Sequence, residues 1–396
     1  MRILIYEPMP DIRRADVILA IARKESELGN SILLLVEEEV QLLSRNHINH
    51  PHSVNCTNII KAKIATSGFN FAAIPRNKTL EKKFIENPRE TLKHIKHYRT
   101  AYFKRALESY KPEKIIIWNG LPHYQQNFID LARNMNPNQK FSFLEAGWFP
   151  QAGTYYEDPL GVNAQSEISF TKPRDISLEE RQNVIQWKLS YREKYKSNDI
   201  SDNGYVFIPL QLETDTNITK FSPFPTMNDF LKWVEPRVDP NINIIARQHP
   251  LDRRSLHNFL PRNSRVKLDN ETPLHQLISK SNCILGINST VLLETLIYEK
   301  PVYAVGDGVF SGSDAIIKLG LEEMIPTHHK FSIGKQEELL YTLLCKQEDL
   351  DLSTTTVYNN LLSAVKNCRL LGYPLSSVIL ANLKIWAKNK LNNHPE

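Results

Sequence analysis

Four short polar segments stand where apolar, strand-like runs end or helices begin. They are Glu145-Ala146-Gly147-Trp148, Gln211-Leu212-Glu213-Thr214-Asp215, Arg247-Gln248-His249-Pro250, and Asn288-Ser289-Thr290 with Glu294 one turn on. Open α/β folds bind ligands at the carboxyl ends of their strands, so groups of these types at such positions suit work on an activated sugar. Asp215 could attack or stabilise an anomeric carbon, with Gln211 placed to orient it. Glu145, beside Trp148 and Phe149, could have a raised pKa suited to a general acid or base. His249, held by Pro250, can donate to an anionic leaving group near neutral pH. Asn288-Ser289-Thr290 opens a helix whose free N–H groups and hydroxyls suit a phosphate, and Glu294 could accept from a ribose hydroxyl. Each piece also has a plain structural role: hydroxyl residues cap helices, a glutamate in a first turn complements the helix dipole, and lone histidines and loop carboxylates make ordinary hydrogen bonds.

The elements that must position these groups alternate between strand and helix. Residues 3–6, 31–36 and 114–118 read as buried strands, with helical spacing over Asp16–Leu28, Thr91–Tyr110 and Gln125–Asn134. Pro75 and Pro88 read as breaks in a polar stretch, and residues 151–172 as a loop rich in Gly, Tyr, Asp and Asn. A polar helix over Leu178–Tyr195 and a Ser/Asn/Asp-rich linker lead to a second alternation, with strands at 205–210, 242–246, 283–286 and 302–305. The expectation is an α/β, GT-B-like protein: two Rossmann-like domains facing a central cleft, with a C-terminal helix packing back on the N-terminal domain. The boundaries expected are 1–172 for an N-terminal acceptor-side domain, 173–203 for a linker helix and linker, 204–375 for a nucleotide-sugar domain and 376–396 for the C-terminal helix. No Gly-x-Gly-x-x-Gly follows the first strand, which disfavours a dinucleotide-dependent dehydrogenase.

With 396 residues and 41% hydrophobic content, the chain is long enough for about two domains. Its formal charge of +5 is spread among acidic residues, with no long basic run, so nucleic acid is not an expected partner. Four cysteines without CxxC spacing suit buried free thiols in a reducing cytoplasm. The first residues enter a strand without a signal-peptide pattern, and no apolar run approaches the ~18–20 residues that span a bilayer. A cytoplasmic protein is expected, with peripheral inner-membrane association compatible with its mild positive charge and amphipathic tail.

Taken in order, the segments resemble the capsule polysaccharide biosynthesis family of bacterial β-Kdo glycosyltransferases. The resemblance rests on Glu-x-Gly-x-x-Pro from Glu145, Asp-x-x-Gly-x-Asn-x-x-Ser (Asp158, Gly161, Asn163, Ser166), Gln-x-x-x-Asp-x-x-Ile (Gln211, Asp215, Ile218), the pair His249-Pro250, and Asn-Ser-Thr-x-x-x-Glu from Asn288. Within the family, the chain looks most like the retaining β-Kdo transferase modules of O-antigen assembly. The resemblance implies CMP-β-Kdo as donor, a lipid-linked glycan as acceptor, and retention through a covalent Kdo–aspartate adduct. It implies Asp215 as nucleophile, Glu145 as base from the opposite half, His249 at the CMP phosphate, and Gln211 orienting Asp215 or the Kdo carboxylate. Asn288, Ser289, Thr290 and Glu294 would hold CMP; Asn119, Gly147, Asp158, Asn163 and Ser166 would line the sugar or acceptor site. No metal ligand set and no cofactor is expected. Gln248 stands where a basic residue is half expected, leaving Arg247, Lys220 and Arg253 as open candidates for a carboxylate clamp. The competing expectations are a GT-B enzyme using a UDP- or GDP-sugar, as transferase or 2-epimerase, and a non-catalytic polysaccharide-assembly module.

Overall fold

The computed structural model describes residues 1–7, 12–37, 70–75, 77–151, 153–197, 199–201, 204–252, 254, 264–326 and 331–349. The expected C-terminal helix lies outside the described residues, as does Arg253. The chain divides into two compact units, one formed by Met1–Leu144 and resuming at Asp349, the other by Glu145–Glu348.

The first unit runs β1 (Arg2–Glu7), α1 (Ile12–Glu27), β2 (Ser31–Glu37), β3 (Asn70–Ile74), α2 (Lys78–Glu86), α3 (Pro88–Tyr110), β4 (Lys114–Trp118), α4 (His123–Met135) and most of β5 (Lys140–Ala146). These strands run parallel in the order β3-β2-β1-β4-β5 within a seven-stranded sheet, which β6 (Thr154–Asp158) and then β13 (Gln347–Asp349) complete beyond β5. Ile3, Leu4, Ile5 and Ile115–Ile117 are wholly buried, as continuous apolar runs must be when a parallel sheet is covered on both faces. Pro88, read from sequence as a break, instead opens α3; a first-turn proline gives up an N–H that has no helical partner there and brings a helical φ.

The second unit follows with β6 (Thr154–Asp158), α5 (Glu167–Phe170), α6 (Leu178–Lys194), β7 (Tyr205–Pro209), α7 (Thr216–Phe221), α8 (Met227–Val234), β8 (Asn243–Arg247), β9 (Val266–Leu268), α9 (Leu274–Lys280), β10 (Cys283–Gly286), α10 (Val291–Thr295), β11 (Val302–Ala304), β12 (Ile317–Lys318), α11 (Ile333–Lys346) and β13 (Gln347–Asp349). Its six-stranded parallel sheet has the order β9-β8-β7-β10-β11-β12. This is the doubly wound 3-2-1-4-5-6 succession, whose strand order reverses between β7 and β10, the place where such sheets take their ligands. Val206, Ile208, Phe230, Ile244, Cys283 and Leu285 centre its core, each large apolar side chain contributing about 1.5–3 kcal/mol by leaving water.

The division falls at Glu145, not at the expected residue 172, and the contacts show why. Gln347 Oε1 accepts from the backbone N–H groups of both Trp148 and Phe149 at 2.9 Å, and its Nε2 donates to the Phe149 carbonyl at 3.0 Å. Phe149 packs edge-on to Trp187 of α6 at 5.2 Å. Residues 173–203 are likewise no free linker. A capping box between Ser177 and Glu180 starts α6. Lys188, only 2% exposed, then reaches Glu299 and Glu337 at 2.8 Å each, while Arg192 Nε donates to the Ile297 carbonyl at 2.7 Å. The end of the stretch is tied too, with Ser201 N–H on the Ser279 carbonyl at 3.1 Å.

Candidate active site

Of the thirteen site positions selected from the sequence, all except Asn119 fall in the second unit. Three strand ends build the site. β7 ends into Leu210–Asp215, its neighbour β8 ends into Gln248–His249, and its other neighbour β10 ends into Ile287–Thr290. The switch point thus brings Gln211, Asp215, His249 and Asn288 to one edge.

Asp215 is exposed and caps α7, accepting from Asn217 N–H at 2.8 Å through Oδ1. Capping uses one oxygen and fixes the other. His249 stands close enough for the Asp215 charge to act on it. Burial pushes the imidazole pKa down, and Asp215 and Asp252 pull it part of the way back. His249 Nδ1 accepts from Leu251 N–H at 3.1 Å, so the neutral ring carries its proton on Nε2, the nitrogen left to meet a ligand. The loop beneath is held by Gln248, whose Nε2 donates to the carbonyls of Asp252 and Arg254 at 3.1 and 2.6 Å. Arg247 donates to the Thr272 carbonyl, and Lys220 stays exposed.

Gln211 is placed differently from the expectation. Its Nε2 donates to Asn288 Oδ1 at 3.0 Å and its Oε1 accepts from Asn288 N–H at 3.3 Å, so both ends of the buried amide face Asn288 and not Asp215. Asn288 Nδ2 in turn donates to the carbonyls of Asn217 and Asp307 at 2.9 and 3.1 Å. Both its donors are used, and it acts as a clasp across three loops. That clasp holds the α7 start, and hence Asp215, against the end of β10.

Ser289 Oγ accepts from Val291 N–H at 3.2 Å. Thr290 Oγ1 accepts from Gln151 Nε2 at 2.9 Å, which ties the segment after Glu145 to the β10 loop. α10 is only five residues long and passes into a 3-10 turn at 296–298, so the loop hydroxyls matter more than a helix dipole. Glu294 Oε2 lies 3.6 Å from His275 Nε2. Burial pushes its carboxyl up to about 7, a hydrogen bond with Tyr191 opposing the rise.

Glu145 is half-buried, and its Oε1 accepts from Ala146 N–H at 3.0 Å. Trp148 stacks on Tyr156 at 4.3 Å and Phe149 meets Trp187. The Glu145 charge helps to hold the buried Tyr156 phenol protonated. Gly147 is required by packing, since a Cβ there would lie 2.1 Å from Thr154 Oγ1. Asp158 is fully buried and accepts from the N–H groups of Leu160, Gly161 and Glu167 at 2.9, 3.2 and 3.1 Å. It organises the 158–167 loop. Asn163 holds a left-handed φ of 55° with its N–H on Tyr156 Oη at 3.0 Å, and α7 packs against the 163–165 turn. Ser166 is buried with its Oγ unpartnered. Asn119, in the first unit, ends β4 with φ 63° and its Oδ1 accepting from Leu121 N–H at 3.0 Å.

Sequence reading missed Gln151, Asn217, Tyr191, Tyr195 and His275 as neighbours of the site. Only the Tyr191/Tyr195 spacing of four, aligning both on one face of a polar helix, was a usable signal. Among the described residues, no group of three His, Cys, Asp or Glu is arranged to hold a metal ion, and no helix is long and apolar enough to cross a membrane.

Comparison with known proteins follows this geometry. Residues 162–321 match the family described as capsule polysaccharide biosynthesis protein. The matched stretch carries Asn163, Ser166, Gln211, Asp215, His249, Asn288–Thr290 and Glu294. Protein FixF of Sinorhizobium fredii (strain NBRC 101917 / NGR234) is 28% identical over 227 residues, covering 55% of this chain and 54% of FixF. The chain therefore spans about half the length of that curated relative. Among solved structures, Thermosulfurimonas dismutans KpsC, beta Kdo 2,7 transferase, is similar with a TM-score of 0.48 and 18% identity, over 76% of this chain and 91% of that one. The beta Kdo 2,4 transferase of the same KpsC is similar with a TM-score of 0.42 and 15% identity, over 58% and 79%.

Proposed function

We propose that this chain is a retaining glycosyltransferase that moves Kdo, an acidic keto sugar, from CMP-β-Kdo to a lipid-linked glycan in O-antigen or capsule assembly. The observation that carries the reading is the meeting of Asp215 with His249 at the β7/β8 edge, inside the stretch that matches the capsule polysaccharide family. An exposed carboxylate next to a neutral imidazole with its proton on Nε2 is a nucleophile beside a leaving-group donor.

In the first step an Asp215 oxygen forms a bond to the Kdo anomeric carbon as the bond from that carbon to the CMP phosphate oxygen breaks. CMP departs with the electron pair, and His249 Nε2–H hydrogen-bonds to the phosphate. The transition state is oxocarbenium-like, and the neighbouring carboxylate stabilises its positive charge. In the second step an acceptor hydroxyl attacks the same carbon, the ester bond to Asp215 breaks, and the hydroxyl proton goes to Glu145. Two inversions give net retention. Ser289 and Thr290 supply hydroxyls at the phosphate, while Gln211 and Asn288 act by fixing the loops. The donor is a substrate, and no cofactor enters. The protein would work at the cytoplasmic face of the inner membrane as a peripheral partner of its lipid-linked acceptor.

The test is intact-mass analysis after mixing with CMP-β-Kdo and no acceptor. Glu145→Gln should accumulate protein heavier by one Kdo residue, and Asp215→Ala should stay unmodified. An adduct that survives in Asp215→Ala, or no adduct in wild type or Glu145→Gln, would sink the double displacement. Turnover of a UDP- or GDP-sugar in place of CMP-β-Kdo would overturn the donor.

A further inference from the structure

The buried surroundings of Glu294 hold a feature that the two-step scheme leaves unused. His275, in the first turn of α9, is fixed by rings on several sides. Tyr195 lies 3.9 Å away at a 30° tilt, Tyr191 stands edge-on at 5.8 Å, and Tyr298 is 6.0 Å away. Its Nε2 is 3.6 Å from Glu294 Oε2, with the two side chains 11% and 15% exposed. Its Nδ1 is buried without a partner. An imidazole fixed on both faces, with one nitrogen aimed at a carboxyl and the other idle, has more hydrogen-bonding capacity than packing requires.

We propose that His275 is a positioning residue for Glu294, and that the pair forms a proton-linked anchor for the hydroxyls of the donor nucleotide's ribose. The inference rests on the reading of the β10 loop as a nucleotide site. A ribose diol donates two hydrogen bonds and is best met by both oxygens of an ionised carboxylate. In the free protein, burial keeps Glu294 protonated to about pH 7 and keeps His275 neutral down to about pH 4. A neutral imidazole serves either state of its neighbour. Its Nε2 accepts from the carboxylic acid in one tautomer and donates to the carboxylate in the other.

Other groups also face Glu294. From α6, the Tyr191 phenol, which burial holds protonated, hydrogen-bonds to Glu294 beside His275; the Tyr195 phenol is likewise held protonated by burial, and Arg192 is committed to the Ile297 carbonyl and to Glu299. From the 3-10 turn after α10, the Tyr298 phenol is shared with Ser197 at 2.6 Å. Diol binding then breaks the Glu294 O–H bond, and its proton goes to the buffer.

Calorimetry on the full chain tests this with CMP and 2′,3′-dideoxy-CMP, in buffers of differing ionisation enthalpy from pH 6 to 9. Both ligands carry the same phosphate, which itself titrates near pH 6, and both meet His249, so their difference isolates the diol. CMP should release close to one more proton than the dideoxy compound at pH 6 and almost none at pH 8. The CMP preference should grow about tenfold between those values, as a group with pKa about 7 ionises. His275→Phe, which keeps a ring in the stack, should move that rise to higher pH; His275→Asn should partly restore it. Glu294→Gln should abolish the difference in proton release while circular dichroism stays native. Equal proton release by the two ligands, or a His275→Phe loss that is the same at every pH, would overturn the inference with the nucleotide site intact. No binding of CMP at any pH would overturn the nucleotide reading and the inference with it.

Discussion

At the scale of single residues, the site separates groups that can react from groups that hold them. Asp215 is exposed, while Asn288 is buried with both amide donors used on the carbonyls of Asn217 and Asp307. Asp215→Asn should cost less than about 0.5 kcal/mol, because asparagine caps a helix as well as aspartate, yet it should abolish transfer. Asn288→Ala should cost about 2–4 kcal/mol, because it strips partners from the buried Gln211 amide and from two part-buried carbonyls. Urea unfolding alongside donor consumption checks the contrast: comparable stability losses in the two variants would contradict it. The candidate residues were legible in the sequence by type and by their place near strand ends. What they bond to was not. Gln211 was read as orienting Asp215, but a buried primary amide finds its best complement in another amide, and Asn288 is 77 positions away in sequence. Asp158 and Gly147 illustrate the same limit, since a motif position can recur because a loop needs it, as the three N–H groups on Asp158 show.

At the scale of elements, the parallel strands were legible because burial on both faces leaves unbroken apolar runs, as in Ile115–Ile117 and Tyr205–Pro209. β6 was not, because Thr154–Asp158 mixes aromatic and acidic residues in a stretch that composition alone assigns to a loop. α6 was legible as a helix but misplaced as a linker. Its many charges suggest a solvated rod, whereas Lys188 is 2% exposed between Glu299 and Glu337. Charge count carries no information about where a long side chain ends. Removing one member of a buried ion pair strands the other, at about 3–5 kcal/mol. Lys188→Met should therefore destabilise the second unit by that amount, and adding Glu337→Gln should recover part of it. A denaturation midpoint unchanged in Lys188→Met would return α6 to the role of a linker. The consequence reaches the site, because the same helix carries Tyr191 and Tyr195, which fix His275 beside Glu294.

At the scale of the molecule, the candidate site residues other than Asn119 are gathered into one of two compact units. The expectation set Glu145 in the opposite half from Asp215. Contacts assign Glu145 to the compact unit that holds Asp215, while β5, the strand that carries it, belongs to the seven-stranded sheet and not to the sheet of β7. The boundary escaped sequence reading because it falls inside a strand, β5, where no change of composition marks it. Nucleotide recognition should then be a property of the second unit. Ligand binding to the native state slows local opening where contacts form. CMP at about a hundredfold excess over its Kd stabilises the bound form by about 2.7 kcal/mol. In hydrogen-exchange mass spectrometry of the full chain, CMP should slow exchange in segments 210–218, 247–252 and 286–294, and also in 148–151 through the Gln151–Thr290 bond. β1, β2 and β4 of the first unit should exchange at unchanged rates. Protection that instead centres on the ends of β1 and β4 would assign the nucleotide to the first sheet. It would also leave the Asp215–His249 pair without the leaving group it is arranged to release.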